Sequence, residues 1–243
     1  MLKKIIISFI ISMLIPSLSF AKEPSWKAYS TLLNNYTSLH ENDIAWVNYT
    51  QIKKDQAFDK VLTELESFSI EQLSTPKEKI AFYINAYNIY AIKMVLEHLT
   101  VKSIRDIGSW LHPVWKKKIG IIGNKAVTLD YIEHSVLRNL GEPRIHFAIV
   151  CASKSCPNLF KEPYIAQKLE KQLQDATISF LENSYKGINV IHGELYVSKI
   201  FSWFKKDFHK YEGVLPFISE YSPLKLGMEI SGYLDYNWEL NGQ

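Results

Sequence analysis

The stretch Arg144-Ile-His-Phe-Ala-Ile-Val-Cys-Ala-Ser-Lys-Ser-Cys-Pro157 decides how the chain is read. Ile145 to Ala152 is a short apolar run rich in Ile, Val and Phe, the pattern of a buried central strand. It ends in a small polar loop that holds both cysteines of the chain, Cys151 and Cys156. His146 lies inside the run, and Ser153 and Ser155 lie between the cysteines. A strand's period of two puts Cys151 on the face of Ile145, Phe147 and Ile149, and His146 on the other. In a regular strand His146 and Cys151 point apart, and they meet only if the chain bends near Cys151.

Upstream of the strand, the sequence predicts a core helix. Thr75-Pro76-Lys77-Glu78 carries an N-cap, a proline at the first helical position and a capping-box acid. From Ile80 to Leu96 the helix is apolar almost all round, as a helix in the centre of a core is. Asn85 and Asn88 lie within it, three apart and so on one face. Buried without partners, each would cost about 1–3 kcal/mol. They therefore bond the backbone of a nearby loop or orient a functional group.

A helix over Leu129 to Leu140 is capped by Thr128 and stopped by Gly141. It carries Glu133 and His134, which as neighbours on a helix diverge too far to face one point squarely. Gly123-Asn124 and His192-Gly193-Glu194 mark two β-hairpins. Further helices are predicted near residues 26–40, 56–67, 164–182 and 215–221. Asp207 lies among aromatics and reads as a buried acid. With no repeat or linker, this is one α+β domain: a central mixed sheet with β-hairpins packed against several helices, after an N-terminal helical segment.

Lys3 and Lys4, the apolar run Ile5 to Leu18, and Ser19-Phe20-Ala21 have the form of a secretory signal peptide cut after Ala21. The expected domain is then 22–243, periplasmic or secreted, with no stable membrane anchor after cleavage. Without Lys3 and Lys4 the formal charge falls from +3 to +1, which gives no electrostatic case for nucleic acid. No cofactor motif is present. A small molecule, peptide or protein is left as the partner class.

Four stretches together resemble a known family. They are Phe82-Tyr-Ile-Asn-Ala-Tyr-Asn88, Thr128-Leu-Asp-Tyr-Ile-Glu-His134, Pro143-Arg-Ile-His-Phe-Ala148 with Val150-Cys-Ala-Ser153, and Ser155-Cys-Pro157. Trp203-Phe204 with Asp207-Phe208 extends the pattern. In this order they look like the domain of unknown function 547, over roughly residues 47–241. The resemblance implies that Asn85, Asn88, Glu133, His134, His146 and the two-cysteine loop are shared features. It implies no activity.

The residues leave three readings of the site open. A thiol hydrolase or acyltransferase of papain- or transglutaminase-like chemistry would use Cys151 or Cys156 as nucleophile. His134 or His146 would be its base and Glu133 or an Asn the orienting group. Backbone N–H groups of the Ser153 to Cys156 loop would then serve as oxyanion donors. Alternatively, the cysteines form a disulfide that staples a binding or scaffold module, which needs a tight loop between them. A zinc site from Glu133, His134, His146 and Cys151 has acceptable ligand types but lacks the close spacing of known zinc motifs.

Overall fold

The computed structural model describes residues 23–222 and 227–243. The expected signal peptide lies outside the described residues. Helix α1 (Lys27–Tyr36) leads into a small antiparallel pair, β1 (Thr37–Leu39) with β2 (Ala45–Val47). α2 (Tyr49–Lys54) and α3 (Ala57–Ser67) then pack beside the longest helix, α4 (Pro76–Leu96). The capping box at α4 forms as the sequence predicts. Glu78 N–H donates to Thr75 Oγ1 at 3.2 Å, and Thr75 N–H donates to Glu78 Oε2 at 2.8 Å. α4 is buried on nearly every side from Ile80 to Leu96.

β3 (Lys118–Ile122) and β4 (Lys125–Thr128) form the first predicted hairpin. Gly123 and Asn124 both have positive φ, 56° and 61°, as a two-residue turn matched to strand twist requires. The second hairpin, β5 (Ile188–Ile191) with β6 (Glu194–Val197), gains a third strand. β7 (Ile230–Tyr233) pairs parallel to β6 and makes this sheet mixed. α5 (Leu169–Glu182), α6 (Ile200–Trp203) and α7 (Val214–Tyr221) complete a single α+β domain of several helices and small sheets.

The principal correction concerns the opening stretch. Pro143–Phe147 is a turn of 3₁₀ helix, and no strand runs from Ile145 to Ala152. The burial is as expected: every residue from Pro143 to Val150 is buried. Pro143 presets a helical φ at the first position of the turn, and Glu142 accepts a hydrogen bond from the N–H of Arg144. The apolar run is continuous because it lies between two cores. Ile145, Ala148, Ile149 and Val150 pack in the core around α4. Phe147 packs in a second core with Phe180, Phe201, Phe208 and Phe217. His146 therefore sits at the seam between them.

Candidate functional site

Asn88 sets the path of the chain into the site. Its side-chain amide donates to the carbonyl of Ala148 at 3.0 Å, and its Oδ1 accepts the N–H of Val150 at 2.8 Å. Asn85 makes the same two-way bond to the backbone of Tyr164, at 2.7 and 2.9 Å. The buried asparagines thus bond loop backbone. Asn88 stands in for the strand partner that Ala148 to Val150 lacks, because a buried peptide group must be paired.

Beyond Val150 the chain bends. Ala152 takes a left-handed conformation, φ 61°, which is unfavourable for a residue with a Cβ. The bend brings the two Cα atoms of Cys151 and Cys156 to 6.1 Å, and the cysteines are joined as a disulfide. The loop between them is anchored by residues 237–241. Lys154 N–H donates to the carbonyl of Glu239, Ser155 N–H to that of Asn237, and Asn241 N–H to that of Ala152. Ser155 Oγ accepts the N–H of Asn237 at 2.9 Å. Ser153 is buried, its hydroxyl 3.3 Å from the Tyr236 hydroxyl. That hydroxyl lies 3.4 Å from the sulfur of Cys151 and 3.3 Å from that of Cys156.

Three of the four expected oxyanion donors are therefore occupied. Lys154 and Ser155 give their N–H groups to residues 239 and 237, and Cys156 gives its own to Ser153. Ser155 is a structural anchor, and Ser153 packs beneath the disulfide.

A cleft of about 190 Å³ opens over this loop. Cys151, Cys156, Glu133, His134 and His146 all line it, so the bend unites residues that a regular strand would hold apart. Glu133 and His134 also share the cleft, against the divergence expected of an α-helix. The segment Tyr131–Leu137 is wound as a π-helix, with Arg138 N–H reaching back to the carbonyl of Glu133. This wider turn, of the kind found at functional sites, alters where adjacent side chains point.

Around His146 the polar groups form a chain. His146 Nε2 lies 2.8 Å from Asp207 Oδ2. Arg138 grips the same carboxylate with two bonds of 2.6 and 2.7 Å and reaches His134 Nδ1 at 2.9 Å. The His146 ring is stacked on Phe204 with centroids 4.0 Å apart, and its Nδ1 is buried with no hydrogen-bond partner.

Burial alone would raise the Asp207 carboxyl, but hydrogen bonds from Arg138 and His146 outweigh it and hold it well below the usual carboxylate range. With Asp207 ionised, His146 must donate through Nε2. Burial also pushes the His146 imidazole below its ordinary pKa, Asp207 opposing. Its neutral form therefore has Nδ1 as a bare acceptor. Glu133 differs from Asp207. Burial pushes its carboxyl up to about 7, against the Tyr87 hydroxyl 3.3 Å away. Two carboxyls of one site are thus driven in opposite directions, as in acid–base sites.

Three contributors escaped the sequence reading. Arg138 lies near the end of the helix expected over Leu129 to Leu140, and no motif marks it. Tyr236 and Trp238 belong to an aromatic tail whose destination local pattern does not reveal. With Trp203, which is 47 % exposed, they form the cleft's aromatic wall, ring centroids 4.5–5.7 Å apart. Among the described residues no group of three or more His, Cys, Asp or Glu could hold a metal ion, so the zinc reading lacks its ligand cluster. No described helix is long and apolar enough to cross a membrane.

No curated protein and no solved structure matches the chain. A family match covers residues 70–181, a narrower span than the resemblance implied. It takes in the asparagines, Glu133, His134, His146 and both cysteines, and leaves Asp207 and Tyr236 outside. Residues 70–181 match the family described as protein of unknown function, DUF547, in keeping with the resemblance seen in the sequence.

Proposed function

We propose that the chain is an exported ligand-binding module whose pocket is stapled by the Cys151–Cys156 disulfide. One observation carries this reading: a single cleft joins the disulfide, Glu133 and His146, which is held by Asp207 and Arg138, under an aromatic wall. An apolar cleft with a few convergent polar groups and shifted ionisations is the ordinary form of a small-molecule site. The ligand it suits is small and amphipathic. Its apolar body would lie against Trp203, Trp238 and Tyr236, and its polar end would meet Glu133 and His134. A disulfided cysteine offers no thiolate, so the resting site binds rather than attacks.

Export fits the same reading. Lys3-Lys4, the apolar run and Ser19-Phe20-Ala21 form the leader, and a structural disulfide belongs in an oxidising compartment. Intact mass of protein from an exporting cell tests this point, and retention of Met1 to Ala21 would overturn it.

The buried, unpartnered Nδ1 of His146 favours a second reading, a thiol hydrolase that acts once a dithiol has reduced the disulfide. Reduction would consume one dithiol, oxidised to its own disulfide, and leave two thiols. His146 would then take the proton of Cys151 while Asp207 holds the ring.

One pair of experiments separates the readings. Thermal-shift screening of the oxidised protein with small amphipathic acids and amides should give hits that Trp203→Ala abolishes. Iodoacetamide labelling after mild reduction should show ordinary alkaline thiols. Fast labelling of Cys151 below pH 7, slowed by His146→Ala, would replace the binding module with the enzyme.

A further inference from the structure

In the segment from Lys102 to Lys118, only Trp115 lines the cleft described above. At its middle, a tight turn is closed twice. Ser109 N–H donates to the carbonyl of His112 at 3.0 Å, and His112 N–H donates to Ser109 Oγ at 3.1 Å. The base of the turn is also packed close: a Cβ at Gly108 would lie 2.5 Å from the nitrogen of Val114 and 2.9 Å from the carbonyl oxygen of His112. The tip this turn presents is Trp110-Leu111, 92 % and 72 % exposed. An apolar pair held out by a closed turn, rather than folded back, calls for an occupant.

The charge of the segment that carries the tip indicates which one. Lys102, Arg105, Lys116, Lys117 and Lys118 face one acid, Asp106, giving this segment a formal +4 in a chain whose whole formal charge is +3. Lys116, Lys117 and Lys118 form no ion pair among the described residues. A tip of two side chains falls far short of the roughly 800 Å² that a stable protein partner covers on each side. A lipid headgroup layer needs only an inserting tryptophan with cations beside it.

We propose that the Trp110-Leu111 turn is a reversible attachment point for an anionic lipid surface. The proposal is independent of the chemistry assigned to the cleft, but it bears on how a ligand arrives. Trp110 and Arg105 border a groove whose far wall, Trp115 and Trp238, is also a wall of the cleft. Attachment through the tip would bring this groove, which shares Trp115 and Trp238 with the cleft, to the lipid.

The test is co-sedimentation of the full chain with phosphatidylcholine vesicles, with and without phosphatidylglycerol, at low and high salt. Binding should require phosphatidylglycerol and weaken with salt. The double variant Trp110→Ser/Leu111→Ser should bind about tenfold more weakly, and Lys116→Glu/Lys117→Glu likewise. Both should keep the wild-type Tm, since they change exposed or half-buried positions. All proteins compared carry the same first residues, so the difference reports the turn. Undiminished binding by the variants would overturn the proposal, as would absence of binding or equal binding to both vesicle types. So would sedimentation velocity showing that the tip instead joins two copies of the chain.

Discussion

His146 donates its Nε2–H to Asp207 at 2.8 Å across 61 positions of sequence, and the bond ties together two parts of the fold. His146 stands in the turn between the two cores, and Asp207 in the 3₁₀-helical segment Lys205–Tyr211 after α6. Arg138 grips the same carboxylate from a third element. The Asp207 carboxylate is therefore the point at which the histidine's orientation and the aromatic core meet.

Asp207→Asn should weaken this junction, since it removes the charge that both Arg138 and His146 address. A loss of about 1.5–3 kcal/mol is expected for hydrogen bonds to a charged group, measured by urea unfolding. The ionised carboxylate also supports protonated His146. Its removal should lower the histidine's pKa further, which an NMR titration reads directly. An unmoved His146 titration would mean that the two side chains are not paired in solution.

Asn88→Leu removes the partner of both the Ala148 carbonyl and the Val150 N–H. Two buried backbone groups would be left unpaired, at about 1–3 kcal/mol each. A lower urea midpoint and faster amide exchange at Val150 are expected. Unchanged exchange at Val150 would show that Asn88 does not hold this loop.

What was legible in the sequence was mostly local chemistry. Thr75, Pro76 and Glu78 announce α4 because a cap is satisfied by its own neighbours. Gly123-Asn124 announces a hairpin because few residues accept positive φ in succession. The buried status of Asn85 and Asn88 followed from the apolar residues around them, and so did their need for partners. Ile145 to Ala152 defeated the period of two because burial on all sides looks the same in a strand and in a tight turn between two cores. The difference lies in Asn88, which pairs the backbone that a neighbouring strand would have paired. Arg138 and Tyr236 reach the site by tertiary contact alone, and no spacing in the chain records that. The cysteine loop was legible as a place but not as a shape, because its bend rests on Ala152 and on anchors at residues 237–241.

Glu133 should make stability depend on pH. Its folded pKa of about 7 lies above the ordinary 4.5, so between those values the folded protein holds a proton that the unfolded chain has released. The stabilisation is full below about pH 4.5 and is lost as pH rises through 7. The loss is on the order of 1–3 kcal/mol, allowing for solvent in the cleft. Glu133→Gln should flatten this part of the profile. A wild-type profile equally flat from pH 5 to 7 would place the carboxyl in ordinary solvent.

The disulfide makes a prediction that the rest of the loop limits. Cys151 and Cys156 are five apart in sequence, and closing so small a ring stabilises a fold by roughly 2 kcal/mol through chain entropy. The loop has other anchors: the bonds of Lys154, Ser155 and Ala152 to residues 237–241 do not depend on the sulfurs. Cys151→Ala/Cys156→Ala should therefore still fold, with a urea midpoint close to that of the reduced wild type. Dithiothreitol should lower the wild-type midpoint and leave the double variant unmoved. Thiol titration of the unfolded, unreduced protein should find no free thiol. Two thiols titrating without reductant would remove the staple, and the site would then have to be read from Cys151 as a nucleophile beside His146.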